Sequence, residues 1–317
     1  MRAIQITNLN GPDEALELAD LPEPEPSHMF TPGSGVLVDV HAAGVAFPEV
    51  LQSRGEYQFK PDLPFVPGAE VGGVARESGQ RVAACCYLGG FAEVAVAPEY
   101  MVFPIPDDWS YDEGAALVFN YHTAYFSLKL RGRLSEGETV LVHGAAGGVG
   151  TASIQIAKGL GARVIGVVSN DEKEQVARAA GADEVVRADG FKGAVKELGG
   201  ADLVLDPVGG DRFTDSLRSL REEGRVVVVG FTGGSIPEVR VNRLLLSNIE
   251  VIGAGWGAYV MPKPEVTLQI GNEIEKLIQS GYVKPIVGAT FPLDRAAEAL
   301  KLIDGRGATG KVVLSVR

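Results

Sequence analysis

Apolar and polar residues follow two different patterns in the two parts of the chain. Residues 1–122 contain short alternating runs, such as Gly35–Val40 and Phe91–Ala97, separated by segments rich in proline and glycine. Alternation with a period of two is typical of strands that bury one face. We therefore predict a mostly β domain for this part.

Between residues 123 and 257 the pattern changes to apolar runs that alternate with helical periodicity. Strands that are buried on both faces appear as nearly continuous apolar runs, and intervening helices connect them in parallel. The pattern predicts six strands, at Thr139–His143, Arg163–Val168, Glu184–Arg187, Asp202–Asp206, Arg225–Gly230 and Glu250–Gly253. Six parallel strands with helices between most of them indicate a doubly wound sheet.

The last part of the chain resembles the first in pattern. It contains a predicted helix at Glu265–Gln279, a strand-like segment at Val283–Val287 and a closing strand at Lys311–Val316. We therefore predict an α/β protein with two domains. One domain joins residues 1–122 to residues 258–317, and the other comprises residues 123–257.

Composition excludes several kinds of partner. The 317 residues carry 41 acidic and 29 basic side chains, a net charge of -12, which disfavours nucleic acid and anionic membranes. Met1–Ile6 runs directly into a strand pattern without a targeting segment, which favours a cytoplasmic location. Cys85 and Cys86 are adjacent, so they form no ordinary disulfide, and we interpret them as packing residues in a reducing compartment.

A glycine-rich turn follows the strand Thr139–His143 and precedes a helical pattern. Within it, Ala145-x-Gly147-x-x-Gly150 matches the spacing of a dinucleotide-binding fingerprint. Gly147 lets the backbone approach a pyrophosphate, and Gly150 allows the helix to pack closely on the strand. The predicted cofactor-binding residues of the turn are Ala146, Gly147, Gly148 and Val149.

The end of the second strand of this domain indicates which dinucleotide binds. NAD-binding proteins carry an acidic residue there for the ribose 2′-hydroxyl, but this strand ends in Val168 and Ser169. Ser169 and Lys173 can bind a 2′-phosphate, which favours NADPH, although Asp171 and Glu172 weaken the local field. Alternatively, Ser169 or Asn170 only caps the next helix.

Several segments together resemble the zinc-independent, zeta-crystallin-like quinone oxidoreductases of the medium-chain dehydrogenase/reductase superfamily. The resemblance covers essentially the whole chain. It rests on Gly44–Tyr57 with Leu63–Glu70, on Asn120–Ala124, on the glycine-rich turn and on Asn242–Leu246.

The resemblance implies a GroES-like catalytic domain, a Rossmann domain, NADPH bound in a cleft and a homodimer. It places Tyr57 and Thr123 near the nicotinamide as catalytic residues. It also places Ser169 and Lys173 near the 2′-phosphate, and Gly209 and Phe231 along the cofactor.

Two features of the Gly44–Glu70 region differ from related enzymes. Where zinc-dependent relatives carry metal-binding residues this chain has Ala46 and Ala69, so we expect no metal. Quinone reductases of the family often carry Asn and Asp where this chain has Ala46 and Glu49. Any group that polarises a bound carbonyl must then be Tyr57, Thr123 or water.

These expectations indicate hydride transfer from NADPH to a quinone, with the Tyr57 hydroxyl stabilising the oxygen that gains charge. The alternatives are an enoyl-thioester or alkenal reductase and, from a different class, a sensor that binds NADPH without turnover. Tyr57 can also be a packing aromatic. Packing roles are favoured for His41 and His143, and His122 can have either role. The strand Glu250–Gly253 is expected at a sheet edge, where two copies can pair.

Overall fold

The computed structural model describes all residues, Met1–Arg317. Its strands are β1 Arg2–Ile6, β2 Leu16–Asp20, β3 Val36–Val45, β4 Glu70–Ala75, β5 Arg81–Cys85, β6 Val94–Ala97, β7 Val102–Pro104, β8 Thr139–Val142, β9 Arg163–Val168, β10 Glu184–Arg187, β11 Ala201–Asp206, β12 Leu220–Val228, β13 Glu250–Gly253, β14 Val287–Pro292 and β15 Lys311–Ser315.

Eleven α-helices accompany these strands. They are α1 Phe47–Gln52, α2 Tyr111–Gly114, α3 Val118–Tyr125, α4 Gly148–Gly159, α5 Asp171–Ala179, α6 Phe191–Glu197, α7 Phe213–Ser219, α8 Asn242–Ser247, α9 Trp256–Val260, α10 Pro264–Gln279 and α11 Ala296–Asp304. None of the helices is long and apolar enough to cross a membrane.

The chain forms two compact units. The terminal unit comprises Met1–Phe119 and Pro285–Arg317, and the central unit comprises Asn120–Lys284. We had placed the boundaries at residues 122/123 and 257/258, so the second boundary lies much later than expected. Gln155 in α4 explains the difference, because its side chain bonds both backbone groups of Lys284, at 2.8 and 3.0 Å.

The central unit is a six-stranded parallel sheet in the order β10-β9-β8-β11-β12-β13. This is the strand order of a Rossmann fold, and the fold class is therefore confirmed. β8 is buried along its whole length and lies in the middle of the sheet, as its apolar run predicts. β13 lies at the edge, as expected.

The terminal unit contains a seven-stranded sheet in the order β14-β15-β3-β4-β5-β7, with β6 paired to β3. The β1–β2 hairpin forms a separate two-stranded sheet. β15 comes from the end of the chain but pairs with β3, so the tail does return to the first domain. The predicted strand at Val283–Val287 was wrong, because the strand that pairs with β15 is Val287–Pro292. Cys85 and Cys86 are fully buried free thiols, as expected for packing residues.

Candidate active site

The glycine-rich turn connects β8 to the first turn of α4. Gly144 has a φ of +58°, and the Gly147 N–H donates to its carbonyl oxygen at 2.9 Å. A Cβ on Gly150 would lie 2.1 Å from that same oxygen, which confirms that the helix packs closely on the turn. A side chain at this position would have to displace backbone, so only glycine fits.

The exposed end of this turn fits a phosphate group. Gly147 is the N-cap of α4 and has no capping side chain, so the first N–H groups of the helix lack the partner that a cap supplies. A Cβ on Gly148 would lie 2.5 Å from Asn120 Nδ2, whereas one on Gly147 would meet only the Gly144 oxygen at 3.5 Å. Gly147, Gly148 and Val149 are all partly exposed, so a ligand can reach this backbone, and such helix N-termini favour anions.

Residues at the end of β9 lie where a dinucleotide places its ribose. Asn170 is the N-cap of α5, and its side chain accepts the Lys173 N–H at 2.9 Å. The capping role that we had considered therefore belongs to Asn170. Ser169 beside it is exposed and makes no capping bond, and its predicted role in cofactor binding stays a prediction, as does that of Lys173.

The sequence analysis missed Arg187, which lies beside this loop. Arg187 ends β10 and is in register with Val168 at the end of β9. Its guanidinium donates to the Asn170 carbonyl oxygen at 2.8 Å and pairs with Asp171 and Glu174. The guanidinium is always charged, and here two carboxylates pair with it beside the loop that follows β9. The signal was present in the sequence, because parallel strands bring their carboxyl ends together.

Two further predicted cofactor residues, Gly209 and Phe231, lie together. Asp206 at the end of β11 accepts the N–H groups of Val208 and Gly209, each at 2.8 Å. Gly209 has a φ of +65°, and a Cβ there would lie 2.9 Å from the Phe231 ring. The loops that follow β11 and β12 therefore lie together at the carboxyl end of the sheet, where α/β proteins bind ligands.

His143 and His122, two buried histidines of the central unit, make the contacts expected of packing residues. His143 donates from Nε2 to Ser216 Oγ at 2.8 Å, because that hydroxyl donates to the Arg212 carbonyl oxygen. Burial lowers the pKa of His143 to about 4 and that of His122 to about 3. Both rings are therefore neutral at physiological pH. His122 packs edge-on against Trp256, with ring centroids 5.7 Å apart.

Tyr57 and Thr123, the two predicted catalytic residues, belong to different units. Thr123 lies in α3 and is buried in the central unit. Tyr57 follows α1 in the terminal unit and lines a cavity together with Gln52. Burial raises the pKa of Tyr57, and the nearby Glu49 carboxylate adds to this effect. The phenol therefore keeps its proton at neutral pH and can donate a hydrogen bond.

A buried carboxylate connects the positions where zinc-dependent relatives carry metal ligands. Glu49 accepts the N–H of Ala46 at 2.9 Å and the N–H of Ala69 at 3.1 Å. Burial raises the pKa of Glu49 to about 7, although Lys311 and the N–H groups oppose the shift. Beside it, the buried Glu70 pairs with Lys311 and accepts the Phe119 N–H. No cluster of three or more His, Cys, Asp or Glu side chains able to hold a metal is present in the chain.

Family models match both parts of the chain. Residues 32–107 match the alcohol dehydrogenase GroES-like domain, and residues 148–269 match the zinc-binding dehydrogenase domain. The first match lies in the terminal unit and the second in the central unit.

Known quinone oxidoreductases are similar to the chain over nearly its whole length. It is 37% identical to quinone oxidoreductase-like protein 2 homolog of Nematostella vectensis, covering 90% of this chain and 82% of that protein. It is 34% identical to human quinone oxidoreductase, covering 99% of this chain and 97% of that enzyme. The quinone oxidoreductase of Thermus thermophilus, solved also as its complex with NADPH, superposes with a TM-score of 0.86 at 35% identity, over 100% of both chains. The chain therefore belongs to the quinone oxidoreductases of the medium-chain dehydrogenase/reductase superfamily and is an oxidoreductase enzyme.

Proposed function

We propose that this enzyme transfers a hydride from NADPH to a quinone without zinc. The observation that carries the proposal is the full-length similarity to quinone oxidoreductases in a chain that has alanine at the two zinc-ligand positions. The open glycine-rich turn supports a dinucleotide, and the NADPH complex of the Thermus thermophilus relative supports NADPH as the cofactor. Bound NADPH supplies the hydride.

The chain's own residues supply binding, orientation and a proton-bearing group. The N–H groups at Gly147–Val149 bind the pyrophosphate, and Gly209 and Phe231 orient the nicotinamide end. Hydride addition leaves negative charge on a quinone oxygen, to which Tyr57 donates its O–H hydrogen bond. A proton from solvent then completes the hydroquinone, so one quinone, one NADPH and one proton give hydroquinone and NADP⁺.

The first test measures NADPH and NADH oxidation with 1,4-naphthoquinone, a 2-alkenal and an enoyl-CoA offered in parallel. We expect turnover of the quinone with NADPH preferred. Reduction of only the alkenal or the thioester would replace the quinone with an activated double bond as the substrate. Cofactor binding without oxidation by any acceptor would leave the non-catalytic sensor.

Tyr57→Phe separates the catalytic role of this residue from a packing role. Losing a hydrogen-bond donor to a developing oxyanion lowers kcat by roughly tenfold to a hundredfold, with a smaller change in KM. Tyr100→Phe is the matched control, because Tyr100 is a partly buried tyrosine of the same unit that lies outside the Tyr57 cavity. An unchanged kcat in Tyr57→Phe would assign this tyrosine to packing.

We also propose that two copies pair through the free edge of the central sheet. β13 has an unpaired edge, and the segments that precede it in the chain expose apolar side chains, at 75% for Ile236, 76% for Leu245 and 78% for Leu246. Exposed apolar patches next to a free strand edge favour association. Light scattering should give a dimer for the wild type and for Leu268→Asp, a control on α10, but a monomer for Leu246→Asp. A monomeric wild type would refute the pairing.

The two buried free thiols accord with a reducing compartment, and we place the enzyme in the cytoplasm.

A further inference from the structure

Asn120 lies against the first turn of α4, beside the glycine-rich turn. It belongs to α3 and, like α4, to the central unit. A Cβ built on Gly148 would lie 2.5 Å from its Nδ2, 3.3 Å from its Cγ and 3.5 Å from its Oδ1. The amide group of Asn120 therefore occupies the space that a side chain on Gly148 would take, with its nitrogen nearest to that position.

The amide of Asn120 is buried but has no partner within the protein. The residue is 4% exposed, and neither amide atom makes a hydrogen bond. Both atoms keep some accessible surface, whereas the unpaired Oγ of Ser127 in the same unit is fully enclosed. Because buried polar groups nearly always have a hydrogen-bond partner, the missing partner of Asn120 indicates a ligand that reaches the amide from outside.

Asn120 does not cap α4. An asparagine that caps a helix accepts a backbone N–H with its side-chain oxygen, as Asn170 does for α5 at 2.9 Å. The N-cap of α4 is Gly147, and no side chain caps this end of the helix. Asn120 brings its nitrogen to this end, so it adds N–H donors to those of the first helical turn. Donors gathered at the positive end of a helix dipole favour an anion.

Neighbouring contacts hold Asn120 in this position. Tyr121 is 2% exposed, and its hydroxyl donates to Oε1 of Gln155 in α4 at 2.7 Å. Gln155 lies about two helical turns after Gly148, so this hydrogen bond fixes α3 along α4. Thr123, one turn after Asn120 on the same face of α3, is also buried and makes no side-chain hydrogen bond. One face of α3 therefore presents two polar side chains that the protein leaves unpaired.

We propose that Asn120 donates a hydrogen bond from Nδ2 to the pyrophosphate of the bound dinucleotide. Pyrophosphate oxygens are acceptors only, so they match a site built from N–H groups. This inference rests on the proposed function, because it takes the pyrophosphate to lie at Gly147–Val149. Asn120 is then a cofactor-binding residue and does not act on the reacting atoms.

The experiment compares NADP⁺ with 2′-AMP, which has the adenosine and the 2′-phosphate of the cofactor but no pyrophosphate. In isothermal titration calorimetry at pH 8, Asn120→Ala should raise the Kd of NADP⁺ about tenfold, as the loss of one hydrogen bond to a charged group predicts, and leave the Kd of 2′-AMP unchanged. Asn272→Ala alters an exposed asparagine of α10 in the same unit and should change neither value. An unchanged Kd of NADP⁺ in Asn120→Ala, or an equal rise for both ligands, would overturn the inference.

Asn120→Asp separates hydrogen bonding from packing, because the two side chains have nearly the same shape. At pH 8 the ionised carboxylate has no proton to donate and repels the pyrophosphate, so the Kd of NADP⁺ should rise about a hundredfold relative to the wild type. At pH 5 this ratio should be about tenfold smaller, since burial and the nearby phosphates raise the pKa of the carboxyl group and its proton restores a donor. The ratio removes the titration of the 2′-phosphate, which is common to both proteins. The same ratio at both pH values would contradict a donor role for Asn120.

A crystal structure of the wild-type complex with NADP⁺ needs no variant. It should place a pyrophosphate oxygen about 2.7–3.2 Å from Nδ2 of Asn120, and a separation beyond about 3.5 Å would refute the contact. None of these measurements uses an electron acceptor. A protein that binds NADP⁺ through Asn120 but reduces no quinone therefore refutes the quinone reductase and supports the inference. Quinone turnover with an unchanged Kd in Asn120→Ala does the reverse.

Discussion

Replacing Glu49 by glutamine should change how the stability of the terminal unit depends on pH. The residue Glu49 is 1% exposed, and burial raises the pKa of its carboxyl group from 4.5 to about 7. Between these two values the unfolded chain releases the proton while the folded protein keeps it. The contribution of Glu49 to stability is therefore complete below pH 4.5 and is lost as the pH rises through 7.

The size of this loss follows from the shift. One pKa unit corresponds to about 1.36 kcal/mol, so a shift from 4.5 to about 7 costs roughly 3 kcal/mol once the folded carboxyl is ionised. Glutamine is close in size and stays neutral, but its amide nitrogen cannot accept a hydrogen bond, whereas both oxygens of the carboxyl group can, protonated or not. One N–H of Ala46 or Ala69 then loses its partner, at about 1–3 kcal/mol independent of pH.

The free energy of unfolding should therefore converge in the two proteins as the pH rises. The wild type should exceed Glu49→Gln by about 1–3 kcal/mol near pH 4.5 and should equal it or fall below it near pH 8. The assay is urea unfolding in a Trp256→Phe background. Trp109, the remaining tryptophan, is buried in the terminal unit and reports its unfolding.

Glu77→Gln is the control, because Glu77 is an exposed carboxylate in the same unit. It should follow the wild type at every pH. A difference between wild type and Glu49→Gln that stays constant within about 0.5 kcal/mol from pH 4.5 to pH 8 would refute the reasoning that burial controls the titration of Glu49.

Three further substitutions test other parts of the structure. Gly150→Ala places a Cβ 2.1 Å from the Gly144 oxygen, so NADPH fluorescence titration should detect no binding, whereas Gly193→Ala in α6, with nothing within 4 Å, should bind normally. Arg187→Ala should raise the Kd of NADPH about tenfold and leave that of NADH unchanged in the same titration, and equal effects on both would remove Arg187 from the 2′-phosphate site. Lys311→Met leaves the buried Glu70 without its cation, so urea unfolding should show a loss of about 3–5 kcal/mol, and a change below about 1 kcal/mol would contradict the pairing.

The central sheet could be predicted from the sequence because its strands are buried on both faces. Three of the six predicted strands, β9, β10 and β13, match the observed bounds. β8 and β11 differ by one residue at one end, and β12 differs at both ends. An apolar run such as that of β11 can be buried to a comparable extent only as an inner strand, so its pattern predicts the strand unambiguously.

The β14 region was harder to predict. Its strand Val287–Pro292 alternates between half-buried and exposed residues and lies at the edge of its sheet, whereas Val283–Val287 before it is more apolar. The segment that forms the strand is the one that pairs with β15, and this pairing is known only from the fold. The second domain boundary had the same cause, since the contacts of Gln155 with Lys284 join residues far apart in sequence.

The candidate site was predictable where it follows one segment of chain and not where it depends on neighbours in space. The spacing of the glycines at Gly147–Gly150 is enough to predict the geometry of the turn. Arg187 was missed because its position beside the loop depends on two strands that are neighbours in space. It ends β10, and it donates to the carbonyl oxygen of Asn170, which follows β9.

The position of β15 in the terminal sheet affects how the protein is synthesised. β15 lies between β14 and β3, so this sheet lacks an inner strand until residues 311–315 have left the ribosome. The central unit is one uninterrupted segment and can fold while synthesis continues. Until residues 311–315 emerge, Ala42–Val45 of β3 keep an unpaired, apolar edge, the kind of surface that associates with other chains. Newly made terminal units therefore need protection by chaperones for longer than central ones, and loss of residues 311–315 should cause aggregation during synthesis.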